Sequence, residues 1–300
     1  MSRSADRRAD TGHKGGAASA ASTRASVALR DGGHMPVLGQ GTWNLGQGRH
    51  PAAQEIDALR TGCALGMALI DTAEMYGDGR SETLIGRALD GIAARPFLVS
   101  KVLPANATAR GIDQSCEASL ARLGVEQLDL YLLHWRGGAR LPEVVDTFEQ
   151  LRAAGRIARW GVSNFDVDDM QALWSVPGGE RCAVNQVLYH VGSRGIEYDL
   201  LPWCIDHGVA VMAYSPLGSR ALLEDATLAR IGERRGVPAT AVALAWAIRG
   251  GHVAAIPESG NVGHVRENAA ALQLRLDPDD LALLDRHFPP PTRKLPLDVI

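Results

Sequence analysis

Four side chains in the first half of the chain have the types and spacing for proton transfer at a reacting carbon–oxygen bond. Asp71 closes the apolar run Met67-Ala68-Leu69-Ile70, and Tyr76 follows on a loop that continues as Gly77-Asp78-Gly79. Lys101 ends the run "FLVSK", and His134 follows "LDLYLL". A tyrosine with an ordinary pKa near ~10 is too weak an acid to protonate an alkoxide well at neutral pH. A nearby ammonium stabilises the phenolate and lowers that pKa, and a buried aspartate keeps the lysine charged. A neutral histidine can orient a carbonyl oxygen toward the phenol. Together Asp71, Tyr76, Lys101 and His134 suit reduction of a carbonyl, given a source of hydride. Singly, each has an ordinary structural reading: a turn-capping aspartate, a strand-end lysine, a core histidine. Their joint placement at successive strand ends is what favours chemistry.

That placement requires a particular set of elements. Short β-rich runs are expected at residues 37–43, 69–73, 97–102, 128–135, 157–163, 183–188, 210–215 and 253–257. Between them lie stretches with helical spacing, at 54–65, 110–123, 142–154, 168–174, 200–207, 226–235 and 262–272, with a further helical start at Ser81-Glu82. Gly66, Gly124, Gly155, Gly208 and Gly236 follow the ends of helical runs, where a left-handed residue commonly terminates a helix. Alternating strands and helices with short connections imply parallel strands joined by right-handed crossovers. The solutions are an open doubly wound sheet or a closed (β/α)₈ TIM barrel, and eight strands over about 250 residues favour the barrel. The stretch "VALRDGGHMPVLGQ" predicts an N-terminal β-hairpin, and "DPDDLALLDRHF" an extra C-terminal helix.

Bulk properties narrow the classes. The 300 residues are 46% hydrophobic and 22% charged with a net charge of −3, which gives no reason to expect nucleic acid or an anionic membrane as partner. No apolar run approaches the ~20 residues that span a bilayer. Cys63, Cys116, Cys182 and Cys204 lack metal-ligand spacing, so no metal site is expected and a reducing cytoplasm fits. Residues 1–26 are polar and small, and read as a disordered tract ahead of a single domain at 27–300. Arg7-Arg8 lacks the apolar stretch of an export signal, and the Asn106-Ala107-Thr108 sequon has no consequence without one. "GQGTWNLG" resembles a dinucleotide fingerprint, but Asn44 occupies the position of the third glycine.

The successive segments "DTAEMYG", "VSKV", "LYLLHW", "GVSNF", "NQVLYH", "AYSPLG" and "IPESGNVGHVREN" resemble, in order, the motifs of the aldo-keto reductases, over roughly residues 28–290. The resemblance implies that Asp71, Tyr76, Lys101 and His134 are the catalytic tetrad, with Tyr76 as general acid in reduction and general base in oxidation. It implies that Ser163, Asn164 and Gln186 hold a nicotinamide carboxamide, that Tyr214 stacks on the ring, and that Ser215 and Leu217 border the pyrophosphate. Glu258, Ser259, His264, Glu267 and Asn268 match the adenosine end. There the chain departs from the family's Ile-Pro-Lys-Ser: it reads Ile256-Pro257-Glu258-Ser259, and His264 stands where an arginine is usual. A 2′-phosphate carries about −2 charge and favours cations. The carboxylate is therefore expected to favour NAD(H) over NADP(H), with Arg266 the one nearby cation that could compensate. Trp43 and Trp135 match aromatic walls of the substrate cleft, for a small-molecule carbonyl. Arg136 replaces the usual proline after Trp135, and a short carboxyl-terminal tail implies an open cleft. A monomer or weak homo-oligomer is expected. The alternative is a cofactor-binding regulatory subunit of the same fold with little turnover; a barrel hydrolase would want paired carboxylates or a metal cluster.

Overall fold

In the computed structural model, which describes residues 26–300, the chain opens with an antiparallel hairpin. Its strands β1 (Ser26–Ala28) and β2 (His34–Pro36) pair Val27 with Met35. The expected disordered tract lies outside the described residues, except that Ser26 begins β1. Eight parallel strands follow: β3 (Gln40–Gly41), β4 (Leu69–Asp71), β5 (Phe97–Val102), β6 (Leu130–Leu133), β7 (Trp160–Ser163), β8 (Val184–Leu188), β9 (Ala210–Tyr214) and β10 (Val253–Ala255). Each pairs with its neighbours in chain order. The sheet closes through β3 and β10: Gly39 N–H donates to Ala255 O at 2.8 Å, Gly41 N–H to Pro257 O at 3.0 Å, and Ala255 N–H to Val37 O at 2.9 Å. Gly41 is required at this seam, because a Cβ there would lie 2.9 Å from Ile256 O. The (β/α)₈ barrel is thus realised, and the open sheet is not.

Helices alternate with these strands: α1 (Ala52–Ala64), α2 (Arg80–Leu89), α3 (Ala109–Leu123), α4 (Leu141–Ala153), α5 (Val167–Trp174) and α6 (Leu200–Asp206). After β9 come α7 (Arg220–Leu223), α8 (Ala226–Arg235) and α9 (Ala239–Ala247), and after β10 come α10 (Val262–Ala269) and the extra α11 (Pro278–His287). All five helix-end glycines anticipated from the sequence have positive φ, from 67° to 93°. Helix α11 begins with a capping box in which Asp277 and Asp280 satisfy each other's backbone N–H groups.

The sequence pattern misses α9. Its "ATAVALAWA" is apolar on every face and is buried from Ala241 to Ala247, so it shows no amphipathic period to detect. No helix among the described residues is long and apolar enough to cross a membrane.

Two features of this frame position the reactive groups. Strand side chains alternate between faces. On β5 this sends Lys101 into the barrel while Ser100 points outward, donating to Glu82 Oε1 of α2 at 2.6 Å. Parallel register then sets the heights: Asp71 pairs with Val99, and Lys101 with Leu132, so Asp71, Lys101 and His134 reach the same end of the barrel.

Candidate active site

Lys101 is fully buried at the floor of this end, and its ammonium spends all three N–H donors. They go to Asp71 Oδ2 at 2.7 Å, Thr72 O at 2.8 Å and the Tyr76 hydroxyl at 3.1 Å. Asp71, 2% exposed, is completed on its other oxygen by Gln186 Nε2 at 2.7 Å. Burial pushes the Asp71 carboxyl up and Lys101 pulls it down. For the pair, burial lowers the Lys101 ammonium, but Asp71 and Tyr76 together outweigh it and hold Lys101 above its ordinary value, so we assign both groups as charged.

Tyr76 departs from the sequence expectation. Burial pushes its phenol above the ordinary value, Lys101 only partly opposes this, and Asp71 adds to it. The phenol is thus fully protonated at neutral pH. His134 is 9% exposed and meets Tyr76 edge to face at 5.7 Å between ring centroids. Burial and the Lys101 charge push its pKa down to about 2, so the imidazole is neutral. Its buried Nδ1 has no partner among the described residues.

The Tyr76 loop is pinned from both sides by Glu74 and Ser81, neither of them among the site residues expected from the sequence. Glu74 Oε1 accepts from Leu103 N–H at 2.7 Å and from Asn106 Nδ2 at 2.9 Å, tying the loop to the one after β5. Ser81 Oγ bonds Leu45 O at 2.6 Å and Thr42 O at 2.9 Å, tying it to the loop after β3.

Above this floor lies a cleft of about 350 Å³. Its lining brings together Asp71, Tyr76 and His134 with Ser163 and Asn164 from the end of β7, Gln186 from the middle of β8, and Tyr214 and Ser215 from the end of β9. The Tyr214 hydroxyl donates to Asn164 Oδ1 at 2.9 Å. Asn164 and Ser215 have φ of 57° and 46°, a left-handed backbone that costs non-glycine residues energy and concentrates at functional sites. Trp43 and Trp135, 49% and 39% exposed, form the outer walls with Met75.

Other sequence-derived candidates lie elsewhere. Leu217, Ser259, His264, Glu267 and Asn268 do not line the cleft; His264 and Glu267 are exposed on α10, Asn268 is buried, and Ser259 Oγ is engaged within its own loop with Asn261. Glu258 does line it, and accepts from both the backbone and side-chain nitrogens of Asn44. Arg136 turns aside, its guanidinium 5.9 Å from the Phe165 ring centre and 3.9 Å from Asp169. Ile300, itself 70% exposed, borders the cleft, on a tail fastened by Lys294 to Asp166 at 2.6 Å and to Asp199 at 2.8 Å.

The arrangement can deliver a proton from a phenol whose conjugate base would face an ammonium. It also offers side-chain amides and a half-buried aromatic ring beside that phenol, the donor set that a nicotinamide needs. The aldo/keto reductase family profile matches residues 37–288. The chain belongs to that family. Aldo/keto reductase relatives align over nearly their whole length. Methylglyoxal reductase YeaE of Escherichia coli is 49% identical over 271 residues, 89% of this chain and 95% of the relative. A Klebsiella pneumoniae aldo/keto reductase crystallised with NADP and acetate superposes with a TM-score of 0.89 at 47% identity, covering 92% of this chain and 99% of that one. A structure of a Klebsiella pneumoniae aldo-keto reductase with NADPH gives 0.88 at the same identity and coverage. This aldo/keto reductase is therefore an oxidoreductase that reduces carbonyls with a nicotinamide cofactor.

Proposed function

We propose that this reductase acts on small neutral aldehydes and α-dicarbonyls, with Tyr76 as the proton donor. The observation that carries the reading is the Lys101 ammonium 2.7 Å from Asp71 and 3.1 Å from the Tyr76 hydroxyl beneath the cleft. A nicotinamide, when bound, supplies the hydride. The chain's own residues manage the rest. Neutral His134 donates an N–H to the carbonyl oxygen and holds it at the phenol. Tyr76 passes its proton to that oxygen as negative charge develops, and Lys101 stabilises the phenolate left behind. In oxidation the proton runs the other way. Asn164 and Gln186 would hold the carboxamide, the latter through its Oε1 because its nitrogen is committed to Asp71; Ser163 would assist, and Tyr214 would stack on the ring.

The substrate class follows from the cleft walls. Trp43, Met75 and Trp135 are apolar, and among the described residues the lining contains no lysine or arginine but does contain Glu258. An anionic substrate would meet no counter-charge there. The name of the Escherichia coli relative supports a neutral α-dicarbonyl. Four unpaired thiols support a cytoplasmic setting. Methylglyoxal with NADH or NADPH is the direct test: steady consumption of the nicotinamide is expected, and none at millimolar substrate would refute the reading.

Because His134 is neutral across the working range, kcat for reduction should show no inflection near pH 6.5. The proton donor must be protonated, and burial raises Tyr76 above its ordinary 10, so the reductive rate should hold through neutral pH and fall only in strong alkali. A pH–rate profile with an imidazole-like step between pH 5 and 8 would contradict this.

We also infer that Glu258 removes the usual preference for a 2′-phosphate, so that NADH is used at least as well as NADPH. The support is a carboxylate in place of a cation; the NADP- and NADPH-bound neighbours show only what those proteins bind. Replacing Glu258 with lysine should shift the ratio of kcat/KM values toward NADPH by roughly tenfold or more, since one negative charge becomes positive near a doubly charged group. A wild type strongly selective for NADPH, with Glu258→Lys no different, would overturn the inference.

A further inference from the structure

Residue 43 carries one of the two indole walls of the cleft, yet the Trp43 side chain is about half exposed, which leaves packing little hold on it. What fixes it is the backbone on either side. On one flank the Ser81 hydroxyl donates, shared between Thr42 O and Leu45 O at 2.9 and 2.6 Å. On the other, Glu258 Oε2 accepts from Asn44 N–H at 2.9 Å, and Oε1 from Asn44 Nδ2 at 3.0 Å. This two-armed contact joins residues 214 positions apart, from the loop after β3 to the loop after β10. Gln54 Nε2 repeats the tie at Gly260 O, at 3.0 Å.

We propose that the Asn44–Glu258 clasp is a positioning device that sets the Trp43 wall, making Glu258 a determinant of carbonyl specificity through its geometry as well as of the cofactor through its charge. The inference rests on the reading of this cleft as the carbonyl site. Charge-assisted hydrogen bonds from a carboxylate to two donors of one residue are strong and directional. Here they fix the residue adjacent to Trp43, so loosening them lets the indole leave the position in which it can cover an aromatic substrate. The two roles of Glu258 are separable. Glutamine keeps an oxygen for the Asn44 N–H and an amide that can pair with the Asn44 side chain once that side chain turns. It loses only the charge.

The test is a double-mutant cycle with phenylglyoxal as the substrate that must lie against Trp43 and methylglyoxal as the small one that need not. Asn44→Ala should raise the phenylglyoxal KM about five- to tenfold, with kcat and the methylglyoxal KM within about twofold; Glu258→Ala, whose cofactor use also changes, should raise the ratio of the phenylglyoxal KM to the methylglyoxal KM by the same factor at saturating nicotinamide. The double variant should be no worse than either single one. Glu258→Gln should restore the phenylglyoxal KM while its NADH/NADPH ratio still differs from wild type. Strictly additive effects, an unchanged phenylglyoxal KM in Asn44→Ala, equal losses for both substrates, or failure of glutamine to rescue would each overturn the clasp. If the wild type reduces neither dicarbonyl, the functional reading fails instead, before any variant is compared.

Discussion

Tyr76→Phe is expected to lower kcat for carbonyl reduction by about three orders of magnitude, the scale of a lost general acid. Phenylalanine keeps the ring that meets His134 edge to face and lies under Lys101, whose Nζ is 4.7 Å from the ring centre. Only the hydroxyl disappears, and with it the one group in the cleft that can donate a proton while facing an ammonium. The groups assigned to the nicotinamide, Asn164, Gln186 and Tyr214, do not touch that hydroxyl through any hydrogen bond among the described residues. Quenching of tryptophan fluorescence by NADH should therefore survive with a Kd within a few-fold of wild type. Retention of more than about a tenth of wild-type kcat would remove Tyr76 from the role given to it.

Lys101→Met should damage both chemistry and stability. The ammonium is fully buried and spends its donors on Asp71, Thr72 and Tyr76. Methionine is of similar length and leaves the Asp71 carboxylate almost solvent-free with Gln186 as its remaining partner. Removing one member of a buried pair typically costs about 3–5 kcal/mol, because the other charge stays buried and uncompensated. The phenolate formed from Tyr76 would also lose its stabilising charge, so kcat should fall by at least about a hundredfold. The companion variant, Lys101→Met with Asp71→Asn, separates the two effects. It removes the stranded charge and should regain most of the stability in denaturant unfolding, while activity stays lost. A single variant that unfolds at the wild-type denaturant concentration would show that the pair contributes little to the fold.

How far these residues could be read from the chain alone depended on how local their signals are. Asp71, Lys101 and His134 each end an apolar run, and such runs are fixed by the needs of strands covered on both faces. The same reasoning found the hairpin, the barrel and α11. It missed α9 because a helix buried all round has no polar face to mark its period. The acidity of Tyr76 is not legible along the chain either, because more than one neighbour sets it. Lys101 does lower the phenol, but burial, which no spacing reveals, outweighs it. Glu74 lies within the segment that carries Asp71 and Tyr76, and Ser81 at a helix start, but their role as ties that hold the Tyr76 loop is visible only in the folded chain.

By itself the sequence determined the alternation of strands and helices, the strand ends that carry the reactive groups, and the family. These depend on side chains within a few residues of one another, where backbone geometry forces the relation. The tertiary structure alone decided that Gln186 completes Asp71 from 115 positions away, that Glu258 grips Asn44 across the closing seam, that Arg136 turns out of the cleft and that the tail borders it. The Glu258–Asn44 contact exists because a closed barrel brings its first strand beside its last, and the Gln186–Asp71 contact because inward side chains of separate strands meet in its interior. The count of eight strands favours closure, but no pattern along the chain says which side chains meet across it.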